Sequence, residues 1–373
     1  ERELVPLGSA FPGLELFPLE RLARCLASGM RKLDPWSIVQ SLPPGDERLR
    51  QQIALRYGLH GSAVDAEQII VTNGAMEALN LCLEAVTRPG DIVVVESPTF
   101  YAALQALERL NLQALEIATH PRDGIDLDAL AEALGRQRVK ACWLMPSFQN
   151  PLGSLMPEEK KRALVALLAR HGVPLIEDDV YGELHFAPQR PPPAKAFDGQ
   201  GLVMHCSSFS KSLAPGYRVG WVAAGRFATA VQRLKLMTTL SAATPSQQAL
   251  SEYLAQGGYG RHLRQLRRSL AQQQAVALAA VARHFPPGTR VSRPEGGYFL
   301  WVELPAQVDA LQLHRQALQH GISLAPGQIF SADRRFAHCV RINYGHPAQS
   351  RFEAALATVG ALATALASTG PGV

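Results

Sequence analysis

Six short apolar segments, separated by stretches with a helical pattern, restrict most strongly what this chain can fold into. They occupy residues 68–72, 91–96, 141–146, 174–179, 201–206 and 220–224. None of them shows a regular alternation of apolar and polar residues, so each predicts a strand that is buried on both faces. Strands of this kind with helices between them indicate an α/β fold with a mainly parallel sheet, in which ligands bind at the carboxyl ends of the strands.

The pattern changes after about residue 285 and predicts a second, smaller domain. Strand-like residues 297–304 and 339–344 enclose a helical stretch, an order that is typical of an α+β unit. A length of 373 residues suits one large and one small domain. We therefore expect an N-terminal arm over residues 1–45, a large domain over 46–285 and a C-terminal small domain over 286–373.

Charge and composition give little support to nucleic-acid or membrane binding. The formal net charge is +5, but the Lys and Arg residues are spread along the chain. Their densest cluster, residues 261–268, has the pattern of a solvated helix face rather than of a DNA-binding stripe. Binding of phosphate groups or of an acidic partner domain by this helix stays open. The sequence contains no run of about 18 apolar residues, so we expect no membrane span.

The N-terminal residues and the cysteines both predict a cytoplasmic location. Residues 1–6 contain no apolar stretch of the kind that a secretory signal needs. The five cysteines are scattered, have no metal-ligand spacing and mostly lie in apolar surroundings, so we expect reduced core residues. They are Cys25, Cys82, Cys142, Cys206 and Cys339.

Lys211 lies just beyond one of the apolar strands, in a segment rich in hydroxyl groups and small residues. Burial and a neighbouring cation would lower the pKa of such a lysine and let its amine attack a carbonyl group. Arg218 and the serines nearby would suit a phosphate dianion, because a guanidinium supplies directed, charge-assisted donors. The alternative is a loop lysine flanked by serine caps, and this segment alone does not decide between the two.

The same segment resembles that of a known family. Its Ser-x-Ser-Lys, followed by Arg-x-Gly seven residues after the lysine, is similar to the segment that holds pyridoxal 5′-phosphate (PLP) in fold-type I, class I/II aminotransferases. The resemblance implies that Lys211 forms the Schiff base with PLP and carries the proton during transfer. It also implies that Ser208, Ser210 and Arg218 bind the phosphate, and that the large domain has a mainly parallel, seven-stranded sheet between helices.

Two further motifs follow in the order that this family shows. An Asp-x-x-Tyr at the end of the fourth strand implies that Asp178 keeps the pyridine nitrogen protonated and that Tyr181 hydrogen-bonds the phenolic oxygen. Asp179, the next residue along an extended segment, would point the other way. An Asn-Pro-x-Gly turn implies that Asn150 contacts the same oxygen and the substrate. Taken alone, the acidic run could cap a helix, and the Asn-Pro pair could be an ordinary turn.

Three more segments complete the resemblance. The turn after the first strand leads into a helix whose first N–H groups attract phosphate, which implies contacts from Ala75 and Met76. A segment after the second strand resembles the one that stacks an aromatic ring on PLP. Its register favours Phe100, with Tyr101 second, and either ring could belong to the core instead. Arg341 lies where the family has an arginine for the substrate carboxylate, and within an apolar strand it needs a partner in any case.

Residues 148–157, 176–186 and 207–221 resemble still more the aminotransferase-like domain of MocR-type members of the GntR regulator family. Those proteins carry a winged helix-turn-helix ahead of this domain, and none fits before Glu1, so we expect DNA contacts only through a domain outside this chain. The resemblance implies a homodimer, in which a tyrosine usually reaches the neighbouring subunit's cofactor phosphate. That register falls on Gln40 here, so the contact lacks its usual side chain.

Two functions are compatible with these residues. As a PLP-dependent aminotransferase, the chain would move an amino group from an amino acid to a 2-oxo acid, using Lys211, Asp178 and Arg341. As a sensor, it would bind PLP and an amino-acid-like effector with little or no turnover, and closure of the small domain would act on an attached DNA-binding domain. A complete set of catalytic residues does not separate the two functions.

Overall fold

The computed structural model describes residues 4–39, 42–59, 61–346 and 350–368. Gln40, the position at which the family usually has a tyrosine, lies outside these residues. In the described part, helices alternate with strands through most of the chain. The helices are α1 (Leu19–Lys32), α2 (Pro35–Val39), α3 (Glu47–Leu59), α4 (Ala75–Val86), α5 (Tyr101–Arg109), α6 (Leu127–Arg136), α7 (Glu158–His171), α8 (Ala228–Thr238), α9 (Thr244–Ala255), α10 (Tyr259–His284), α11 (Ala310–Gln319) and α12 (Ser350–Ser368).

Within the described residues, the main sheet has eight strands. They are β1 (Ile69–Thr72), β2 (Ile92–Ser97), β3 (Gln113–His120), β4 (Gly124–Ile125), β5 (Val139–Leu144), β6 (Leu175–Asp178), β7 (Val203–Ser208) and β8 (Gly220–Ala223). Their order across the sheet is β1-β8-β7-β6-β5-β2-β3-β4. The pairs β3-β2, β2-β5, β5-β6 and β6-β7 are parallel. Strand β8 is antiparallel to β1 and β7, and β4 is antiparallel to β3. The predicted α/β fold with a mainly parallel sheet is confirmed.

The apolar segments do not reveal two strands of this sheet, β3 and β4. Several positions of β3 are exposed or half-buried, and polar residues such as Glu116 and His120 interrupt it, so it lacks the continuous apolar run of the other strands. β4 has only two residues and pairs with the end of β3. With β3 included, the sheet has the seven strands implied by the resemblance, and β4 is an eighth at its edge.

Successive residues of β2 show why the sheet is covered on both faces. Val93 and Val95 belong to a core cluster with residues of α4 and α5, whereas Val94 belongs to a cluster with residues of α6 and α7. All three valines are fully buried. Because neighbouring side chains along a strand point to opposite faces, a continuous apolar run produces one core on each side.

A second, antiparallel sheet lies in the C-terminal part of the chain. Its strands are β9 (Arg290–Val291), β10 (Phe299–Glu303), β11 (Ala325–Pro326) and β12 (Cys339–Asn343), in the order β11-β12-β10-β9. The helix α12 packs against α10 and α11. This arrangement agrees with the α+β organisation expected after residue 285, while the boundaries of the three predicted parts stay predictions.

The N-terminal strap, which we define as residues 4–13, runs beside the second sheet. Val5 forms a parallel bridge with Ile322. Further along, the Asn343 N–H donates a hydrogen bond to the carbonyl oxygen of Leu7 at 2.7 Å. The strap is therefore attached by main-chain hydrogen bonds to the C-terminal part.

Two glycines bring the turn after β1 against β8. Gly74 has a φ of +82°, which favours glycine, and it directly precedes α4. Gly220 begins β8 so close to this turn that a Cβ atom on it would lie 2.5 Å from the carbonyl carbon of Gly74. As a result, the N-terminus of α4 lies beside Arg218, two residues before Gly220.

The cysteines and the helices bear on two further expectations from the sequence. All five cysteines are buried and form no disulfide, which agrees with their prediction as core residues. Among the residues that the structure describes, no helix has the combination of length and apolar character that crossing a membrane requires.

We predict that Gly220→Ala destabilises the fold. The added methyl group has to displace the main chain of Gly74 and Ala75, and overpacking of this kind costs about 1–3 kcal/mol of unfolding free energy. Denaturant-induced unfolding measures the difference. Gly216→Ala is the control, because a Cβ atom there meets nothing within 4 Å. Equal stability of the Gly220→Ala variant and the parent protein would contradict the close approach described here.

Candidate active site

A cavity of about 180 Å³ lies at the carboxyl ends of β6 and β7, beside the N-terminus of α4. Ten residues that the sequence predicts to contact a cofactor line this cavity. They are Ala75, Met76, Phe100, Asn150, Asp178, Tyr181, Ser208, Ser210, Lys211 and Arg218. The structure thus brings together residues from segments spread over more than a hundred positions of the chain, where a parallel sheet is expected to bind its ligand.

Lys211 presents its amine to the cavity under the N-terminal strap. Its Nζ donates a hydrogen bond to the carbonyl oxygen of Ala10 at 2.8 Å and lies 3.8 Å from the ring centre of Phe11. Burial and the charge of Arg341 lower the pKa of Lys211 to about 7, against the opposing effect of Asp178. A substantial fraction of the amine is therefore neutral near pH 7, and only the neutral form is nucleophilic.

Asp178 places a buried carboxyl group in the same cavity. The residue is 1 % exposed, and its Oδ1 has no hydrogen-bond partner among the described residues. Burial raises the pKa of Asp178 to about 7, and the charge of Asp179 contributes to the increase. Asp179 points away from the cavity, as extended backbone predicts, and pairs with Arg190. An unpaired buried oxygen of this kind is an acceptor suited to a donor on a ligand.

One end of the cavity has the composition of an anion site. The side chains of Ser208 and Ser210 line it, and Arg218 donates from Nη1 to the Ser210 hydroxyl at 3.4 Å. The first residues of α4, Ala75 and Met76, lie at the same end. A helix N-terminus, two hydroxyl groups and a guanidinium together favour a phosphate group.

Arg341 lies behind Asn150 and is 1 % exposed. Its Nη1 donates to the Asn150 Oδ1 at 2.9 Å, and its Nη2 donates to the carbonyl oxygens of Gly8 and Ser9 at 2.8 and 3.2 Å. Its guanidinium carbon lies 4.1 Å from the ring centre of Phe299. Among the described residues no carboxylate forms an ion pair with Arg341. The partners that its burial requires are therefore neutral oxygens. A buried guanidinium in this state favours an anionic ligand.

The aromatic residues named in the sequence analysis lie in or beside the cavity. Phe100 and Tyr101 both line the cavity, and their ring centres are 5.1 Å apart. The assignment of the stacking ring to Phe100 therefore stays a prediction. Tyr181 is 3 % exposed and packs edge-on against Tyr298 at 5.5 Å, and burial raises the pKa of its hydroxyl, which therefore stays protonated and able to donate.

The N-terminal strap is a part of the site that the sequence patterns do not predict. Ala10 and Phe11 line the cavity, and the Tyr298 hydroxyl also donates to the Ala10 carbonyl oxygen at 2.9 Å. Most of the polar contacts of the strap are made by main-chain carbonyl groups, which any residue possesses. No pattern in the sequence could therefore have identified them.

Comparisons with known proteins agree with this geometry. A family model described as "Aminotransferase class I and II" matches residues 30–357. The chain is 50% identical over 359 residues to the uncharacterized HTH-type transcriptional regulator YdcR of Escherichia coli K12, over 96% of this chain and 77% of that protein. It is 38% identical over 360 residues to the regulator YjiR of the same organism, again over 96% and 77%.

A solved structure provides an independent comparison. The α-aminoadipate aminotransferase LysN from Thermus thermophilus, crystallised with N-(5′-phosphopyridoxyl)-L-leucine, superposes with a TM-score of 0.91 at 30% sequence identity. The match covers 98% of this chain and 94% of that one. The likeness therefore extends over nearly the whole chain, including both sheets.

We predict that covalent attachment of PLP to Lys211 becomes faster as the pH rises through about 7 and then levels off. The reason is that the neutral amine attacks the aldehyde, and the pKa of this lysine is about 7. Stopped-flow absorbance of the apoprotein mixed with PLP measures the rate at each pH. A rate that rises up to about pH 10, as for an ordinary lysine, would contradict the perturbed pKa.

Proposed function

Because the chain belongs to the class I and II aminotransferase family, we propose that Lys211, Asp178 and Arg341 carry out its amino-group transfer. As in the rest of the family, the activity depends on PLP and moves an amino group between an amino acid and a 2-oxo acid. The observation that supports these three roles is their convergence. A neutral amine and an unpaired buried carboxyl oxygen line one cavity, and the buried guanidinium of Arg341, which has no carboxylate partner among the described residues, contacts Asn150 in the lining of that cavity.

The residues present fit PLP group by group. The unpaired Oδ1 of Asp178 suits a protonated pyridine nitrogen, and the anion site at α4 suits the phosphate. Since the Asn150 Oδ1 is held by Arg341, the Asn150 Nδ2 is the group that can donate to the phenolic oxygen, together with the Tyr181 hydroxyl. When bound, PLP supplies an electron-withdrawing ring that stabilises negative charge at the substrate α-carbon.

Each residue then has a separate task. The Nζ of Lys211, in its neutral form, takes the proton from the α-carbon of the amino acid. When a 2-oxo acid reacts in the opposite direction, the protonated Nζ gives a proton to the α-carbon. The carboxylate of Asp178 holds a proton on the ring nitrogen by charge and hydrogen bonding. Arg341 binds the substrate α-carboxylate with its planar fork, in place of the carbonyl oxygens of Gly8 and Ser9. The strap covers the cavity with Ala10 and Phe11 and limits the access of water.

Two substitutions test the transfer itself. We predict that Lys211→Ala loses both the visible absorption of lysine-bound PLP and amino-group transfer. Asp178→Asn keeps the shape of the side chain but removes its charge, so kcat should fall by at least about 100-fold while PLP still binds. Absorbance after incubation with PLP, and an assay with pooled amino acids and 2-oxo acids, measure the two effects. Absence of the PLP band in the parent protein would contradict the proposal.

A third substitution tests the carboxylate contact. We predict that Arg341→Lys raises KM for the amino donor by about 10- to 100-fold, because lysine is a point charge that cannot form two parallel hydrogen bonds to a carboxylate. Steady-state kinetics at saturating 2-oxo acid measure the change. Arg290→Lys is the control, since the Arg290 side chain is 76% exposed and pairs with Glu303. An unchanged KM in the Arg341 variant would remove Arg341 from the substrate site.

A second candidate function is effector sensing. The observation that favours it is the naming of the relatives YdcR and YjiR as HTH-type transcriptional regulators. In this function the same residues bind PLP and an amino acid, turnover is slight, and ligand binding acts on a DNA-binding domain joined to this one. The assay with pooled substrates separates the candidates. Robust turnover supports the enzyme, whereas a spectral response to an amino acid without product supports the sensor.

We also propose that the chain forms a homodimer. Large apolar side chains are exposed on and near α2 and α8, including Trp36 at 67%, Met237 at 64% and Leu240 at 58%. Apolar surface of this kind is common where two subunits meet. The usual tyrosine contact across the dimer falls on Gln40, outside the described residues, and is not part of the proposal.

A further inference from the structure

A second concave site lies apart from the cavity around Lys211. It is an open cleft of about 810 Å³ between the end of α3, the starts of α7 and α10, and the loop that follows β6. We call it the arginine cleft. Five arginines and two glutamates line it, which leaves an excess of positive charge: Arg56, Arg162, Arg190, Arg264 and Arg267 against Glu158 and Glu183. None of these residues lines the cavity around Lys211.

Three of the arginines converge on one carboxylate. The Nη2 of Arg56 lies 2.7 Å from the Glu183 Oε1, the Nη2 of Arg267 lies 3.0 Å from Oε2, and the Nη1 of Arg190 lies 3.8 Å from Oε1. Arg190 also pairs with Asp179. Three guanidinium groups are thus held close together by two carboxylates, so their mutual repulsion is only partly offset.

The surroundings make this excess charge costly. The Arg190 side chain is 8% exposed, and its Nε has no hydrogen-bond partner among the described residues. Burial lowers the pKa of Arg267, and the charges of Arg56 and Arg190 act in the same direction against Glu183. The carboxylates outweigh burial at the other two arginines and raise the pKa of Arg56 and of Arg190, so the uncompensated charge is at Arg267. Cations that lower the pKa of a neighbouring arginine are stabilised when an anion joins them.

The open side of the cleft offers a further donor. Arg264 is exposed, lines the cleft from the turn of α10 before Arg267, and forms no ion pair or hydrogen bond with the described residues. Gly260, one turn earlier, lines the cleft without a side chain. Gly258, at the N-cap of α10, makes no side-chain capping hydrogen bond, and the first turn holds no acidic residue. This end of the helix therefore adds to the positive potential.

We propose that the arginine cleft binds a small oxyanion of the phosphate or phosphate-ester class. Guanidinium forks match the oxygens of a phosphate group and form paired, charge-assisted hydrogen bonds with it. Arg264 and Arg267 contact the anion from α10, Arg56 contacts it from α3, and Arg190 supplies charge at the base of the cleft. The concave shape and the volume of the cleft are those of a small-molecule site. One wall of the cleft is α10, which contains the basic cluster of residues 261–268, and the sequence leaves phosphate binding by this cluster as an open alternative.

The test uses the PLP-loaded protein, in which the cofactor fills its own phosphate site. Inorganic phosphate is titrated by calorimetry against sodium chloride of matched ionic strength. We expect saturable binding that Arg264→Ala weakens by about tenfold, the effect of losing one charged hydrogen bond. Arg268→Ala is the matched control, because Arg268 is exposed on the same helix, carries the same charge and does not line the cleft. We expect it to bind phosphate as the parent does.

The comparison of the two variants identifies where phosphate binds. Equal binding by the Arg264→Ala variant and the parent would place phosphate elsewhere, such as at Arg341, and would overturn the proposal. Equal weakening in both variants would overturn it as well, because a general charge effect explains that result. A second arm titrates a short DNA duplex. If the duplex binds while phosphate does not, the surface is a nucleic-acid site and the proposal fails. Thermal unfolding of both variants checks that they are folded.

Discussion

The Oδ1 of Asp178 can stay unpaired in the cavity because the acidic residues on either side of Asp178 have partners elsewhere. Glu177, Asp178 and Asp179 are each at most 2% exposed, and three buried carboxylates in a row would be very costly without partners. Glu177 accepts two main-chain N–H groups, from residues 194 and 195, at 2.6 and 2.9 Å. Asp179 pairs with Arg190. The alternation of an extended segment therefore separates one reactive carboxyl from two structural ones.

A chain of hydrogen bonds with a fixed direction supports Asp179. The Trp221 Nε1–H donates to the Tyr57 hydroxyl at 3.0 Å, and this hydroxyl lies 2.6 Å from the His205 Nδ1. Since the ionised Asp179 can only accept, the His205 Nε2–H donates to it at 2.9 Å, and in the neutral imidazole Nδ1 then accepts the proton of the Tyr57 hydroxyl. Burial alone would raise the pKa of Asp179, but Arg190 and His205 outweigh it and lower the pKa. Asp179 is thus an anion beside Asp178.

The sequence predicted most of the site because its residues follow strand ends or begin helices. Asp178 ends β6 and Ser208 ends β7, so the parallel pairing of the two strands is enough to bring them together. The partners of Arg341 could not be predicted in this way, because two of them are main-chain carbonyl groups of the strap. The arginine cleft could not be predicted either, because Glu183 pairs with arginines from three segments that are far apart in the sequence.

Two main-chain carbonyl oxygens of the strap each accept two hydrogen bonds. The Ser9 oxygen accepts from Asn343 at 3.0 Å as well as from Arg341, and the Ala10 oxygen accepts from Tyr298 as well as from Lys211. A ligand that takes over Arg341 and Lys211 therefore leaves each of these two oxygens with one donor. The Gly8 oxygen, which accepts from Arg341 alone among the described residues, loses its hydrogen bond. Arg341 and Lys211 can thus change hydrogen-bond partners while the strap stays attached to the second sheet. The strap can therefore still cover the cavity when a ligand binds.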